Sequence, residues 1–312
     1  MKKILSIIIL GLLIGCSFGV QGFSKVDTNT ENQVYPAGYF RFIKVDGLTR
    51  LYQIHVPKDY EEDTSVPIVF VLHGVPGSAY QVKFMSKMNE KADEECFIVV
   101  YPNGHINKQF FRILSPFVWN EWIVHDDVDD GKFLQVLIEK LQIDYNINAS
   151  RIHVCGISGG ASMTYKFGAS YSNIVASIAS IAGTIGVIMN GQPYNISEPI
   201  GPLPVMIFHG MNDDRVPYDG GWAQGIFWKS VNESVSFWVD HNKCNPTPLI
   251  EPSESGNVIK ETYANGTDNS EVVLYTVIHG GHGWFKSPPY ELSATDLIWE
   301  FFIQHPKEER II

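Results

Sequence analysis

The segment Gly156-Ile157-Ser158-Gly159-Gly160 follows the apolar run Ile152-His153-Val154-Cys155 and precedes a helical pattern. A G-x-S-x-G between strand and helix is a sharp turn that holds its serine in strained backbone, the glycines leaving room for close chain approach. Ser158 Oγ would then stand free above the strand ends, beside the positive end of the following helix. A serine hydroxyl is a poor nucleophile until an imidazole takes its proton, and the imidazole needs a carboxylate to orient it. In this setting the acid and then the histidine follow the serine along the chain. Val205–Phe208 runs into His209-Gly210-Met211-Asn212-Asp213-Asp214, and Val272–Ile278 runs into His279-Gly280-Gly281-His282-Gly283-Trp284. Asp213 is preferred over Asp214 because it stands three residues after the glycine of the His-Gly pair. His282 is preferred over His279, which sits at the strand end. A tetrahedral intermediate also needs two backbone donors. Gly159 supplies one, immediately after the nucleophile, and the loop after Pro67–Leu72 supplies the other. There Val75 is the first candidate and Gly77 the second, since Pro76 has no N–H. His73 and His209, at strand ends, are expected to hydrogen-bond loop backbone.

These groups need a scaffold that brings strand ends together. Short apolar runs recur at Leu51–Val56, Pro67–Leu72, Phe97–Tyr101, Arg151–Cys155, Ser177–Ala182, Val205–Phe208 and Val272–Ile278. Several are apolar on both faces, which suits a parallel sheet covered by helices. Helical patterns run from a Ser78 cap through Glu95, over Gly131–Tyr145, after Ser158, after Gly220, and from Ser293. The alternation predicts an α/β fold with a mostly parallel, doubly wound sheet flanked by helices, its ligands beyond the carboxyl ends of the strands. No linker divides the pattern, so one catalytic domain is expected over residues 39–312.

The N-terminus reads differently. Met1-Lys2-Lys3 followed by the apolar Ile4–Ile14 stretch is the pattern of a signal peptide over residues 1–16, too short to span a bilayer comfortably. Leu13-Ile14-Gly15-Cys16 also resembles a bacterial lipobox, which would place a lipid on Cys16. Residues 17–38 are polar and irregular, as a tether would be. An exported, extracellular protein is expected, meeting the membrane only through that lipid. The chain has 312 residues and a formal net charge of −11, with no basic cluster, which excludes nucleic acid as a partner. Of the cysteines beyond Cys16, Cys155 ends an apolar strand and reads as a buried thiol, while Cys96 and Cys244 are open to pairing in an oxidising compartment. There is no C-x-x-C or H-E-x-x-H spacing, so no metal site is expected. Sequons start at Asn148, Asn195, Asn232 and Asn265.

Over residues 40–305 the chain resembles the secreted α/β-hydrolase esterases of the polyhydroxybutyrate depolymerase and feruloyl or acetylxylan esterase type. The resemblance rests on Leu72-His73-Gly74, Tyr101-Pro102-Asn103-Gly104, Trp119-Asn120, Val128-Asp129-Asp130 leading into Phe133, and the Gly156–Gly160 turn. It continues through His209-Gly210 to Asp213, Val216-Pro217-Tyr218, and Gly280-Gly281-His282-Gly283-Trp284. It implies Ser158 as nucleophile, Asp213 as acid and His282 as base, with no metal or organic cofactor. Many members carry cysteines where this chain has Val75 and Val118, and another some twenty residues after the one near Cys244; none stands in Tyr263–Thr267.

A serine esterase acting on feruloyl or acetyl esters of plant polysaccharides is the expected function. The alternatives are a depolymerase of polyhydroxybutyrate or its oligomers, a peptidase using the same groups, and an inactive hydrolase-fold binding protein. Trp284, Trp119 and Tyr218 are the foremost candidates for an aromatic cleft, with Tyr80, Trp122 and Trp222 beside them. The loop Gly183–Pro204 is expected to form a wall or lid.

Overall fold

The computed structural model describes residues 40–106, 117–122 and 128–307. The expected signal peptide, Cys16 and the expected tether lie outside them.

The chain enters through β1 (Arg41–Val45) and β2 (Leu48–His55), a hairpin that leads to the apolar β3 (Val66–Leu72). Two helices follow, α1 (Ala79–Ser86) and α2 (Met88–Glu95), where a single one is expected. Lys87 breaks them apart with a left-handed φ of 51°, a conformation that its side chain does not announce. Next come β4 (Ile98–Pro102), the short pair β5 (His105–Ile106) and β6 (Phe117–Val118), and α3 (Asp130–Asp144), capped by the Asp129 carboxylate. Strand β7 (Ile147–Ile157) passes through the turn at Ser158 into α4 (Gly159–Ser170), then β8 (Ser177–Ile181). Residues 183–204, expected as a wall or lid, carry the hairpin β9 (Gly186–Met189) and β10 (Gln192–Asn195) before β11 (Val205–Gly210). The helix expected directly after Gly220 is displaced by a second hairpin, β12 (Gly221–Ala223) and β13 (Ile226–Trp228). The tight turns there have positive φ at Gly220, Gly221 and Gly225. Helix α5 (Val231–Asn242) then begins at a reciprocal Ser230–Glu233 capping box. Strands β14 (Leu249–Pro252), β15 (Val258–Tyr263) and β16 (Val272–Val277) precede α6 (Ala294–Gln304).

The main sheet has ten strands in the order β1-β2-β4-β3-β7-β8-β11-β16-β15-β14. From β4 to β16 neighbouring strands run parallel, and antiparallel strands close both edges. The two added hairpins form their own sheet, β10-β9-β13-β12. Both faces of the main sheet are covered, as its both-sides-apolar strands require. Phe133, Leu137, Met163, Phe167 and Trp238 pack with one face, and Val82, Met88, Phe97, Trp299 and Phe302 with the other. Each such side chain contributes about 1.5–3 kcal/mol by leaving water.

After β3 the chain runs out to β4 on one side and returns to β7 on the other. The order therefore reverses at β3 and β7, and crevices open at such points beyond the carboxyl ends of the strands. The loop 73–77 and the Ser158 turn both stand there.

Candidate active site

Ser158 adopts φ 58° and ψ −124°, a strained backbone for a residue with a Cβ. Close packing enforces it. A Cβ on Gly156 would stand 2.5 Å from Gly160 O, and one on Gly160 would stand 2.4 Å from the carbonyl oxygens of Leu72 and His73. The Ser158 N–H is anchored to Ile181 O at 2.9 Å, and its side chain does not cap α4. Oγ is thus left uncommitted beside a helix N-terminus.

Asp213 and His282 meet where the loops after β11 and β16 converge. His282 Nδ1 lies 2.8 Å from Asp213 Oδ2. A carboxylate only accepts, so Nδ1 carries the hydrogen and Nε2 keeps its lone pair. The Asp213 carboxylate has a full set of partners: Oδ1 accepts from the N–H groups of Arg215 and Val216, both at 2.9 Å, and His209 Nε2 lies 3.3 Å from Oδ2. Burial pushes this carboxyl up, but the hydrogen bonds from His209 and His282 outweigh it and hold it well below the usual carboxylate range. Asp214 and His279, the residues passed over, are exposed.

Ser158 and His282 line one cavity of about 590 Å³. They make no hydrogen bond with each other here, a common state before substrate draws such groups together. Val75 lines the same cavity, and its side chain would press within 2.6 Å of a Cβ on Gly159. The two expected oxyanion donors are therefore neighbours. Gly77, the second candidate, is bridged to Phe117. His73 fastens the loop: Nε2 accepts from Gly104 N–H at 3.0 Å, leaving Nδ1–H to donate to Gly74 O at 2.7 Å. Its burial pushes the imidazole down to about 4, so it stays neutral. His209 also bonds backbone, with Nε2 2.8 Å from Val216 O.

No protein-family model matches the chain. A probable feruloyl esterase C of Aspergillus niger is 25% identical over 259 residues, covering 81% of this chain and 84% of that protein. Poly(3-hydroxyalkanoate) depolymerase C of Paucimonas lemoignei is 25% identical over 258 residues, covering 73% of this chain and 57% of the depolymerase. An acetyl xylan esterase from Aspergillus awamori superposes with a TM-score of 0.59 at 16% identity, over 85% of this chain and 99% of the esterase. The chain has the α/β-hydrolase fold.

Within this α/β-hydrolase the three foremost cleft candidates point elsewhere. Trp119 is buried, donates Nε1–H to His73 O at 2.8 Å and packs on the His73 ring. Trp284 is buried against α6, its Nε1–H donating to Thr295 Oγ1 at 3.0 Å. Tyr218 shares a hydrogen bond with Thr276 Oγ1 on β16 at 2.8 Å and does not line the cavity. Trp122 is buried, and Trp222 stands exposed on β12, away from the cavity. Of the six, Tyr80 alone lines it. Its neighbours are residues that sequence reasoning passed over: Phe84 and Met85 on α1, and Arg215 beyond the acid. The Tyr80 and Phe84 rings meet edge to face at 4.7 Å and are both exposed, an i, i+4 apolar pair on a helix face turned to solvent. That spacing was the available signal.

Among the described residues the cysteines do not pair. Cys96, Cys155 and Cys244 are all free thiols. Cys96 Sγ faces Asp59 O and Cys244 Sγ faces Ser270 O, in separate parts of the fold. Among the described residues no group of three or more His, Cys, Asp or Glu side chains is placed to hold a metal.

Proposed function

We propose that this carboxylic ester hydrolase works through a Ser158-His282-Asp213 acyl-enzyme mechanism on feruloyl or acetyl esters of plant polysaccharides. The observation that carries the reading is the Asp213–His282 hydrogen bond opening onto the cavity that holds the strained Ser158. Substrate drawn into that cavity brings His282 Nε2 onto Ser158 Oγ. His282 takes the hydroxyl proton as Oγ attacks the ester carbonyl, and Asp213 stabilises the imidazolium formed. The N–H groups of Gly159 and Val75 hold the oxyanion. The tetrahedral intermediate collapses, the alcohol leaves with the proton from His282, and an acyl-serine remains. Water then repeats the attack, its proton passing to His282 and on to Ser158 as the acid departs.

The apolar wall of Tyr80, Phe84 and Met85 accepts an aryl ring, and it suits an aliphatic polyester chain as well. The likeness to a polyhydroxyalkanoate depolymerase supports that second reading. Initial rates on methyl ferulate, acetylated xylan and a 3-hydroxybutyrate trimer separate the two. Preference for ferulate or acetylxylan is the expected result, and preference for the trimer moves the protein to polyester breakdown. Ser158→Ala is expected to fold normally and to lose at least 10³-fold in kcat, by analogy with the order of magnitude seen when such a nucleophile is removed. Turnover at the wild-type rate would remove Ser158 from the mechanism. We further infer export, from the Met1–Cys16 leader. N-terminal analysis of protein recovered from the medium and from membranes tests it: a chain still starting at Met1 opposes export, and a lipidated Cys16 gives surface anchoring.

A further inference from the structure

Glu121 follows Asn120 in the loop after β6, and its Oε1 reaches the nucleophile turn. A Cβ built on Gly159 would stand 3.2 Å from that oxygen, with Val75 Cγ2 and Cβ as its other nearest neighbours. The Glu121 carboxyl and the Val75 side chain therefore pack against the same α-carbon, that of the residue whose N–H faces the oxyanion. The residue is half-buried, and its carboxyl reaches the nucleophile turn. Two charged groups face it. Lys166 on α4 donates from Nζ to Asn120 O at 2.7 Å, and Asp130 at the start of α3 is already paired with Arg50. Burial pushes the Glu121 carboxyl up to about 8 against a hydrogen bond from its own backbone N–H; Asp130 adds to the rise and Lys166 opposes it.

We propose that Glu121 is a positioning residue of the oxyanion turn that serves as the neutral carboxylic acid and disables the turn as the carboxylate. This rests on the esterase reading of Ser158. In the tetrahedral intermediate a full negative charge develops at the Gly159 N–H. A second anion against the same residue opposes that charge, and the burial of the carboxyl weakens the screening between them. A neutral acid imposes no such penalty and packs the Val75 and Gly159 donors in place.

The test is the pH profile of kcat/KM on a neutral, slowly autohydrolysing ester, followed by pH-stat from pH 6 to 10 for wild type and Glu121→Gln. The amide keeps the shape and cannot ionise. Wild type is expected to lose about tenfold or more between pH 7 and 10, mostly in kcat because the conflict arises in the transition state. Glu121→Gln is expected to hold its plateau to pH 10. A wild-type profile flat to pH 10 overturns the proposal whatever the variant does, and so does an alkaline loss that persists in Glu121→Gln. Infrared difference spectra give an independent reading. A protonated carboxyl band at pH 7 that vanishes in Glu121→Gln supports the neutral acid, and its absence from wild type refutes it. Ser158→Ala, run alongside, reports on the esterase reading alone.

Discussion

The acid of the site is over-determined. Two histidines and two backbone N–H groups converge on Asp213, so its ionised form is favoured and its geometry fixed before substrate arrives. Asp213→Asn preserves shape but replaces one acceptor oxygen by an amide donor, which sets His282 in the wrong tautomer. A fall in kcat of about 10⁴-fold is expected, with an unchanged far-ultraviolet circular dichroism spectrum. Gly159 is constrained more sharply than its exposure suggests. Its φ is not positive, so the obstacle to alanine is space: Val75 Cγ2 would stand 2.6 Å from the new methyl. Gly159→Ala is expected to displace loop 73–77 and lower kcat with little change in melting temperature, measurable on p-nitrophenyl acetate. The candidate site was legible at the residue scale because Ser158, Asp213 and His282 each follow an apolar strand in the required order. Glu121 was not legible. One acid among aromatic residues of a loop says nothing until tertiary structure sets it against Gly159.

At the scale of elements, α3 is tied to β2 by an ion pair buried on both sides. Arg50 on β2 pairs with Asp130, whose Oδ2 also accepts the Asn120 N–H at 2.6 Å, while the guanidinium stacks 3.9 Å over the Phe133 ring. Removing one partner strands a buried charge. Asp130→Ala is expected to cost about 3–5 kcal/mol, read from the urea midpoint. Apolar runs identified the core strands to within a few residues, because a strand buried on both faces has little freedom of composition. The failures share one cause. The break at Lys87 and the hairpin after Gly220 depend on local φ values, which lysine does not advertise and which glycine permits without demanding. The direction of Trp119 and Trp284 depends on which side of a loop faces the core. Alternation resolves that question along a strand and not within a loop.

Taken whole, the molecule should be sensitive to acid. Burial pushes His73 down to about 4 and His153, stacked on Phe302, down to about 3, against the ordinary 6.5 of the unfolded chain. Below pH 6.5 the unfolded chain takes up protons that the folded one refuses. Stability is therefore complete above pH 6.5 and declines as pH falls toward 4, by about 1.4 kcal/mol per pH unit for each histidine. Asp213, held below its usual range, adds a further loss once pH drops under the normal carboxylate range. Urea midpoints between pH 4 and 8 check the slope. Thiol titration should find Cys155 and Cys244 unreactive until denaturation, with Cys96 partly accessible.

Ser158 ends the fifth strand of the main sheet, whereas Asp213 and His282 leave the seventh and eighth, so their meeting spans 69 residues between acid and base alone. Parallel neighbours distant in sequence form late, because the entropy of closing the intervening chain must be overcome first. Ester turnover is then a chronometer of refolding. It should return after the far-ultraviolet signal, and its lag measures the docking of β11 and β16 onto a sheet already built.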